Sequence, residues 1–259
     1  MNKNVDQRDF IVIGASGYIG SAISNELKNL GLVVDTPSSK LLNLSYKASI
    51  EDYFKNKFYK ILVYCAINRR GTINSNLLNL TNLIDCGSFS RFVLISSRSV
   101  YDGFGSFENI QPVPVTNLPK PTESYSLLKY NEEINLVKSK CKHNIIRLFD
   151  VFDDRVLENK DHLTKWVSRY FKNGKCTDAI SPIHIKDATT LIVENITNPD
   201  NMKEITNLCG PNINIDKLAL KLSIKTSKED SIVSKMGVCS FADFKFISLE
   251  DQITIRCLV

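Results

Sequence analysis

No apolar run in this chain reaches 18 residues, so no membrane-crossing helix is expected. The first residues are polar, and no short apolar segment there has the look of an export signal. No C-x-x-C pair occurs. The seven cysteines, at 65, 86, 141, 176, 209, 239 and 257, are odd in number, and several sit inside apolar runs, as Cys65 does in the stretch 61–66. That pattern excludes a disulfide frame and a zinc site, and no metal is expected; it suits buried thiols in a reducing, cytoplasmic setting. Charge of one sign is not concentrated either. The 33 Lys and Arg interleave with 28 Asp and Glu, leaving a net charge of +5. A dense nucleic-acid-binding stripe is thereby excluded, although a mildly positive surface helps attract an anionic small molecule. Repeats and low-complexity tracts are missing too. What is left is an ordinary globular composition, 43% hydrophobic and 24% charged over 259 residues, which fits one large domain or a domain with a smaller lobe.

The chain is organised around residues 10–20, Phe-Ile-Val-Ile-Gly-Ala-Ser-Gly-Tyr-Ile-Gly. Four apolar residues in a row predict a buried strand. Gly14, Gly17 and Gly20 follow. A helical pattern then begins, with Ile19, Ala22, Ile23, Leu27 and Leu30 at helical spacing and Gly31 as its stop. A strand, a glycine turn and a helix pointing back over the strand end make a pyrophosphate site, because unpaired N–H groups and the positive end of the dipole meet there. The glycines allow the tight turn, the approach of phosphate and close helix–strand packing.

A second strand, 32–34, ends at Asp35, which lies 21 residues after Gly14. An acid at that distance meets the adenosine ribose of NAD; Pro37-Ser-Ser-Lys40 beside it would instead hold the 2′-phosphate of NADP. The acid weighs toward NAD, and NADP stays open. Further along, the pattern predicts a helix over 49–57, a strand over 61–66, a helix over 73–86, a strand over 91–95 ending at Ser96-Ser97, a helix over 124–140 and a strand over 144–149. Four of the eight prolines fall between Gly103 and Pro121, a surface loop. Strand–helix alternation predicts an α/β fold, a Rossmann-type doubly wound parallel sheet. Beyond 150 the alternation weakens. A helix over 163–172, a loop over 181–187, a helix to about 196, a strand over 205–208, apolar pieces at 215–222 and 241–247 and a helical piece at 249–255 follow. The expected division is a dinucleotide-binding domain, 1–150, and a smaller substrate-binding C-terminal lobe, 151–259, partly interleaved with it.

A second constellation joins Ser97 to Tyr125-Ser-Leu-Leu-Lys129. Tyr and Lys four apart share a helix face, and an ammonium beside a phenol favours its ionised form. Such a tyrosine gives a proton to a carbonyl as hydride arrives, or takes it back, with Ser97 bonded to the same oxygen. The spacing recurs at Tyr53 and Lys57; that copy follows the second strand, too early for the redox end of a cofactor, and reads as an ordinary surface helix.

Taken together, Gly14-x-x-Gly17-x-x-Gly20, Ser96-Ser-Arg-Ser-Val-Tyr-Asp-Gly103, Tyr125-x-x-x-Lys129, Arg147-Leu-Phe149, Pro182-Ile-His-Ile-Lys-Asp187 and Ser248-Leu-Glu-Asp251 stand in an order that resembles the extended short-chain dehydrogenase/reductase group, the NAD-dependent epimerase/dehydratase family. The Val100-Tyr-Asp-Gly103 ending is most similar to the dTDP-4-dehydrorhamnose reductase branch. The resemblance implies an NAD(P)-dependent enzyme acting on a nucleotide-diphosphate sugar, with Ser97, Tyr125 and Lys129 catalytic. Its expected cofactor residues are Gly14, Ser16, Gly17, Tyr18, Ile19, Gly20, Asp35, Asn43, Leu44, Cys65, Ala66, Tyr125 and Lys129. Its expected substrate residues are Ser97, Ser99 and His162. Reduction of a 4-keto-6-deoxy sugar is the expected reaction; a 4-epimerase with tightly held NAD and a catalytically silent NAD(P)-binding regulator are the alternatives. A homodimer through 73–86 and 124–140 is implied as well.

There are departures. Asn43 stands where the family often has an acid, and Asp150-Val-Phe-Asp-Asp154 replaces the usual Asn-Val-Tyr-Gly-Pro. Ser99 stands where GDP-fucose synthases carry a reactive cysteine, which argues for a simple reductase. His143 and His184 read as structural, and Arg69 and Arg70 as exposed cations.

Overall fold

The computed structural model describes residues 6–103, 115–158, 160–169, 171–172, 175–176, 179–198, 202–214, 218–219 and 245–249. The chain separates into two compact units. The first is Met1–Ser96, Glu123–Ile146 and Thr189–Thr206; the second is Ser97–Thr122, Arg147–Ala188 and Asn207–Val259. The expected division at 150 differs from this in particular segments. Ser97–Thr122 belongs to the second unit, and Thr189–Thr206 returns to the first.

In chain order the elements are β1 (Asp6–Ile13), α1 (Tyr18–Asn29), β2 (Val34–Asp35), α2 (Lys47–Phe54), β3 (Lys57–Tyr64), α3 (Ile73–Cys86), β4 (Phe89–Ser97), α4 (Ser124–Lys138), β5 (His143–Leu148), β6 (Val151–Phe152), α5 (Lys160–Ser168), β7 (Phe171–Lys172), β8 (Lys175–Cys176), β9 (Ala179–Ile180), β10 (Ile183–His184), α6 (Ile185–Thr197), β11 (Ile205–Leu208) and β12 (Ile213–Asn214).

The main sheet has the order β11-β5-β4-β3-β1-β2. Its β1–β2, β1–β3 and β3–β4 pairs are parallel, with Phe10 opposite both Val34 and Ile61. The apolar runs of the sequence are explained by this pairing: Ile11, Val12, Leu62, Val63, Phe92 and Val93 are wholly buried, as strands covered on both faces must be. Ile50 and Phe54 of α2, Leu80 and Leu83 of α3 and Leu136 of α4 pack with Leu62, Tyr64, Phe92 and Leu94. Each such side chain contributes about 1.5–3 kcal/mol of burial. Strand order reverses at β1, whose neighbours are β2 on one side and β3 on the other. Such a switch point opens a crevice at the carboxyl ends of the strands, where doubly wound folds take ligands.

The turn after β1 can be made only with glycine at its first position. Gly14 has φ +85°, and a Cβ there would lie 2.7 Å from the Ala66 amide nitrogen. A Cβ on Gly20 would press on the Gly14 carbonyl, so α1 and the turn are in direct backbone contact. The chain leaves α1 through Gly31 at φ +75°, as the sequence predicts.

Two expectations change. The helix predicted over 49–57 stops at Phe54, because Asn56 takes a left-handed φ of +62° and Lys57 already opens β3. Tyr53 and Lys57 therefore do not share a helix; the Lys57 ammonium sits 3.9 Å over the Tyr53 ring. The helix predicted over 163–172 runs instead from Lys160 to Ser168, and Phe171–Lys172 is β7.

The second unit is built from short strand pairs: β6 with β10, parallel; β9 with β12 and β7 with β8, antiparallel. Phe152, Leu157, Leu163, Trp166, Val167, Ile180 and Ile213 form its core, with Phe152 and Trp166 edge to face at 6.3 Å. Of the late apolar pieces, 215–222 lies outside the described residues except for 218–219, 241–247 except for 245–247, and 250–255 wholly. Among the described residues no helix is long and apolar enough to cross a membrane.

The turn gives a direct test. Gly14→Ala is expected to lower unfolding free energy in urea by more than about 2 kcal/mol, since it combines a strained φ with a backbone clash. A smaller loss would mean that the β1–α1 turn relaxes freely.

Candidate active site

The glycine turn opens into a cleft of about 1040 Å³ within the first unit. Gly14, Ser16 and Gly17 line it, as do Asn43, Leu44, Cys65 and Ala66. Gly17 is the N-cap of α1 and has no side chain with which to cap it. The start of an α-helix carries N–H groups that the helix itself does not pair, and an anion suits that end. Tyr18, Ile19 and Gly20 form the first turn of α1 and are not among the cleft's lining residues. Asn43 is held by its own loop: its N–H donates to Ser49 Oγ (3.0 Å) and its Oδ1 accepts from Ser45 N (3.0 Å). Burial pushes the Cys65 thiol up to about 12, against the nearby Lys129 charge, so it is a wall of the cleft and no nucleophile. Three cations, Lys28, Arg69 and Arg70, line the cleft, and no Asp or Glu is among its described lining residues. A helix N-terminus that begins at glycine, a turn with no side chain in the way and three exposed cations fit a dinucleotide diphosphate.

Asp35, like Tyr125 and Lys129, is not among the cleft's lining residues. Its Oδ1 accepts from Arg8 (2.7 Å), and its Oδ2 from Tyr59, in a short bond, and from Tyr53 (3.4 Å). It lines a separate recess of about 830 Å³ with Arg8, Tyr53 and Lys57. Asp6 and Asp35 hold the Arg8 guanidinium firmly charged, and burial together with Asp35 raises the Tyr59 hydroxyl.

Tyr125 and Lys129 stand one turn apart on α4. Tyr125 is 47% exposed and Lys129 only 4%, so the phenol faces outward over a buried ammonium. The start of α4 is fixed by a capping box between Glu123 and Ser126. Lys129 Nζ donates to Glu132 Oε2 (2.9 Å) and to the Ile95 carbonyl (3.3 Å) near the end of β4. Burial works to lower the Lys129 ammonium, but Glu132 and Tyr125 outweigh it and the net direction is up, so Lys129 stays protonated at neutral pH. Glu132 is wholly buried, and its Oε1 has no hydrogen-bond partner among the described residues. The next residue, Glu133, accepts from Ser96 Oγ (2.5 Å), tying α4 to β4.

In the second unit Ser97 Oγ accepts from Ser99 N (3.2 Å) and caps the short turn Arg98–Tyr101. Ser99 Oγ is buried without a described partner. Arg98 pairs with Asp150 at 2.6 Å, both mostly covered; the acidic departure after β5 therefore carries its own counter-ion. His162 is exposed, with Nδ1 3.0 Å from the Arg155 carbonyl and 3.4 Å from Glu158. His184 is buried against Phe152 and accepts from Lys186 N (3.2 Å) through Nδ1; burial lowers its pKa. Among the described residues no cluster of His, Cys, Asp and Glu could hold a metal.

The first unit thus gathers Gly14, Ser16, Gly17, Asn43, Leu44, Cys65 and Ala66 on one cleft and, on α4, Tyr125 and Lys129 one turn apart. Sequence reading missed three participants. Arg8 and Tyr59 engage Asp35 from neighbouring strands, and only strand order and register reveal that. Glu132 was legible: it lies three residues after Lys129, on the same face.

Comparison with known proteins completes the picture. A family model, NAD dependent epimerase/dehydratase family, matches residues 10–209. No curated protein matches the chain. Among solved structures, the chain is similar to dTDP-4-dehydrorhamnose reductase from Bacillus anthracis in complex with NADP, with 15% identity, TM-score 0.67 and coverage of 96% of this chain and 98% of that one. It is also similar to UDP-glucose 4-epimerase from Thermotoga maritima with UDP-glucose, at 16% identity, TM-score 0.63 and coverage of 96% and 97%. A third is the Bordetella bronchiseptica enzyme WbmG in complex with NAD, at 13% identity, TM-score 0.70 and coverage of 99% and 94%.

The buried pair on α4 makes a quantitative prediction. Glu132→Ala leaves Lys129 as an unpaired buried charge and is expected to cost about 3–5 kcal/mol in urea unfolding. The double change Glu132→Leu, Lys129→Met removes both charges and should recover most of that loss. A double variant as unstable as the single one would contradict the pairing.

Proposed function

Because the chain belongs to the NAD dependent epimerase/dehydratase family, we propose that it reduces a nucleotide-diphospho-4-keto-6-deoxy sugar. The observation that carries this reading is on α4: an exposed phenol, Tyr125, one turn from a buried ammonium, Lys129, in the unit that also holds the glycine cleft. Gly14, Ser16, Gly17 and the open end of α1 would hold the cofactor diphosphate, with Asn43, Leu44, Cys65 and Ala66 as walls. When bound, the reduced nicotinamide supplies the hydride. Tyr125 gives its proton to the keto oxygen, within the range of about 10²–10⁴ in rate that general acids contribute. Lys129, kept protonated by Glu132, presents a fixed donor to the cofactor ribose. Ser97 orients the substrate carbonyl, and Ser99 and His162 contact the sugar diphosphate; these three roles rest on the resemblance of their motifs. A serine at 99, where a double epimerase would need a reactive cysteine, favours simple reduction. In the same reading, α3 and α4 pair with a second copy, since Leu78, Leu127 and Val137 are large apolar residues left exposed on them.

Tyr125→Phe is expected to cut turnover of keto-sugar nucleotides with reduced cofactor by about 10²–10⁴-fold while cofactor still binds in calorimetry. Full activity of Tyr125→Phe would remove the assignment. Turnover without added nicotinamide, by enzyme purified with cofactor already bound, would turn the reading to a 4-epimerase. Sedimentation should give twice the 29.2 kDa chain mass; a monomer at micromolar concentration would remove the pairing.

A further inference from the structure

A lysine ammonium carries three N–H donors on a long, flexible arm, and two of those on Lys129 are engaged inside the protein. One goes to Glu132 Oε2 (2.9 Å), three residues on along α4, and the other to the Ile95 carbonyl (3.3 Å) of β4. Both side chains are buried. Acceptors on two different elements leave the ammonium one place to sit and one N–H to offer. In that place its charge interacts with Cys65, a wall of the cofactor cleft, and with Tyr125. Glu132 is itself costly to bury. Its Oε1 has no hydrogen-bond partner among the described residues, and a buried ion pair adds little stability over apolar side chains of the same size. What the carboxylate does change is the state of Lys129. Burial works to strip such a lysine of its proton as pH rises, and the Glu132 charge opposes this. The same charge offsets part of the field that Lys129 exerts on the Tyr125 hydroxyl. The other titratable groups facing the pair are Glu133 on α4, which accepts from Ser96 Oγ of β4, and Tyr64 and Cys65 at the end of β3. Burial pushes both of the latter up, Cys65 to about 12, so neither titrates in the neutral range.

We propose that Glu132 is a positioning residue for the reaction proposed above. With the Ile95 carbonyl it aims the remaining N–H of Lys129, and its charge extends to higher pH the range in which Lys129 and Tyr125 act together. The inference rests on the α4 reading and deepens it: Glu132 acts through Lys129, not on the substrate.

Glu132→Gln keeps the length of the side chain and removes its charge; Glu132→Asp keeps the charge and shortens the arm. Both are made in the full chain, with melting curves to report on folding. In protein carrying isotope-labelled lysine, the Lys129 Cε resonance is assigned by its loss in Lys129→Met. It should titrate at least about one pH unit lower in Glu132→Gln than in the unaltered chain. The alkaline limb of turnover, read with dTDP- and UDP-4-keto-6-deoxyglucose and NADH or NADPH, should move down with it. Glu132→Asp should leave that limb in place and lower the plateau by up to about 10²-fold, as a displaced group does. A folded Glu132→Gln with neither the lysine titration nor the limb moved would overturn the proposal and leave Glu132 a packing residue. Glu132→Asp turning over like the unaltered chain would overturn the aiming role. Turnover of neither probe by the unaltered chain would overturn the reaction reading, while the lysine titration would still decide whether Glu132 governs Lys129.

Discussion

Backbone touches backbone where α1 meets the turn after β1, and the rest of the first unit is arranged around that contact. Gly20 lies on the Gly14 carbonyl, and Gly14 in turn lies against the Cys65–Ala66 peptide beyond β3. Three segments far apart in sequence are thereby fixed with no side chain between them. The approach has a chemical result: Gly17, at the start of α1, brings no capping side chain and lines the cleft. It also has a steric one, since β1 must sit between β2 and β3 for the crevice to open at its end.

Charge is distributed by a second logic. Where ionised groups are covered they come with partners: Lys129 with Glu132, Arg98 with Asp150, Arg8 with Asp35. Single charges in such places would be costly to desolvate. The cations of the cleft, Lys28, Arg69 and Arg70, are exposed, so leaving them unpaired costs little and keeps their field available to a ligand. Neutralised interior pairs and free surface cations together leave the cleft positive without destabilising the fold that makes it.

Much of this was legible because it is local. The apolar run 10–13, the glycines and the spacing of Ile23 and Leu27 define β1 and α1 from sequence, since strand and helix periods depend only on near neighbours. The same holds for α3 and for Tyr125 and Lys129 on α4. What stayed hidden depends on pairing across the sheet. Nothing near Asp35 in sequence says that Arg8 and Tyr59 will flank it; β1 and β3 bring them there by register. The end of α2 was missed because Asn56 accepts a left-handed turn that most residues resist, a signal weaker than glycine's. The short strands of the second unit are two residues each, too brief to show alternation, and Phe171 continued a helical pattern that the chain abandons.

The chain passes from one unit to the other at 96/97, 122/123, 146/147, 188/189 and 206/207. Such threading has a biosynthetic consequence. The edge strand β11 of the main sheet lies at Ile205–Leu208, so a nascent chain cannot finish its sheet until most of its 259 residues have left the ribosome. Domain-by-domain folding during synthesis is therefore closed to it, and neither unit can be excised by a single cut. Its maturation depends on late, long-range closure, which slows folding on topological grounds.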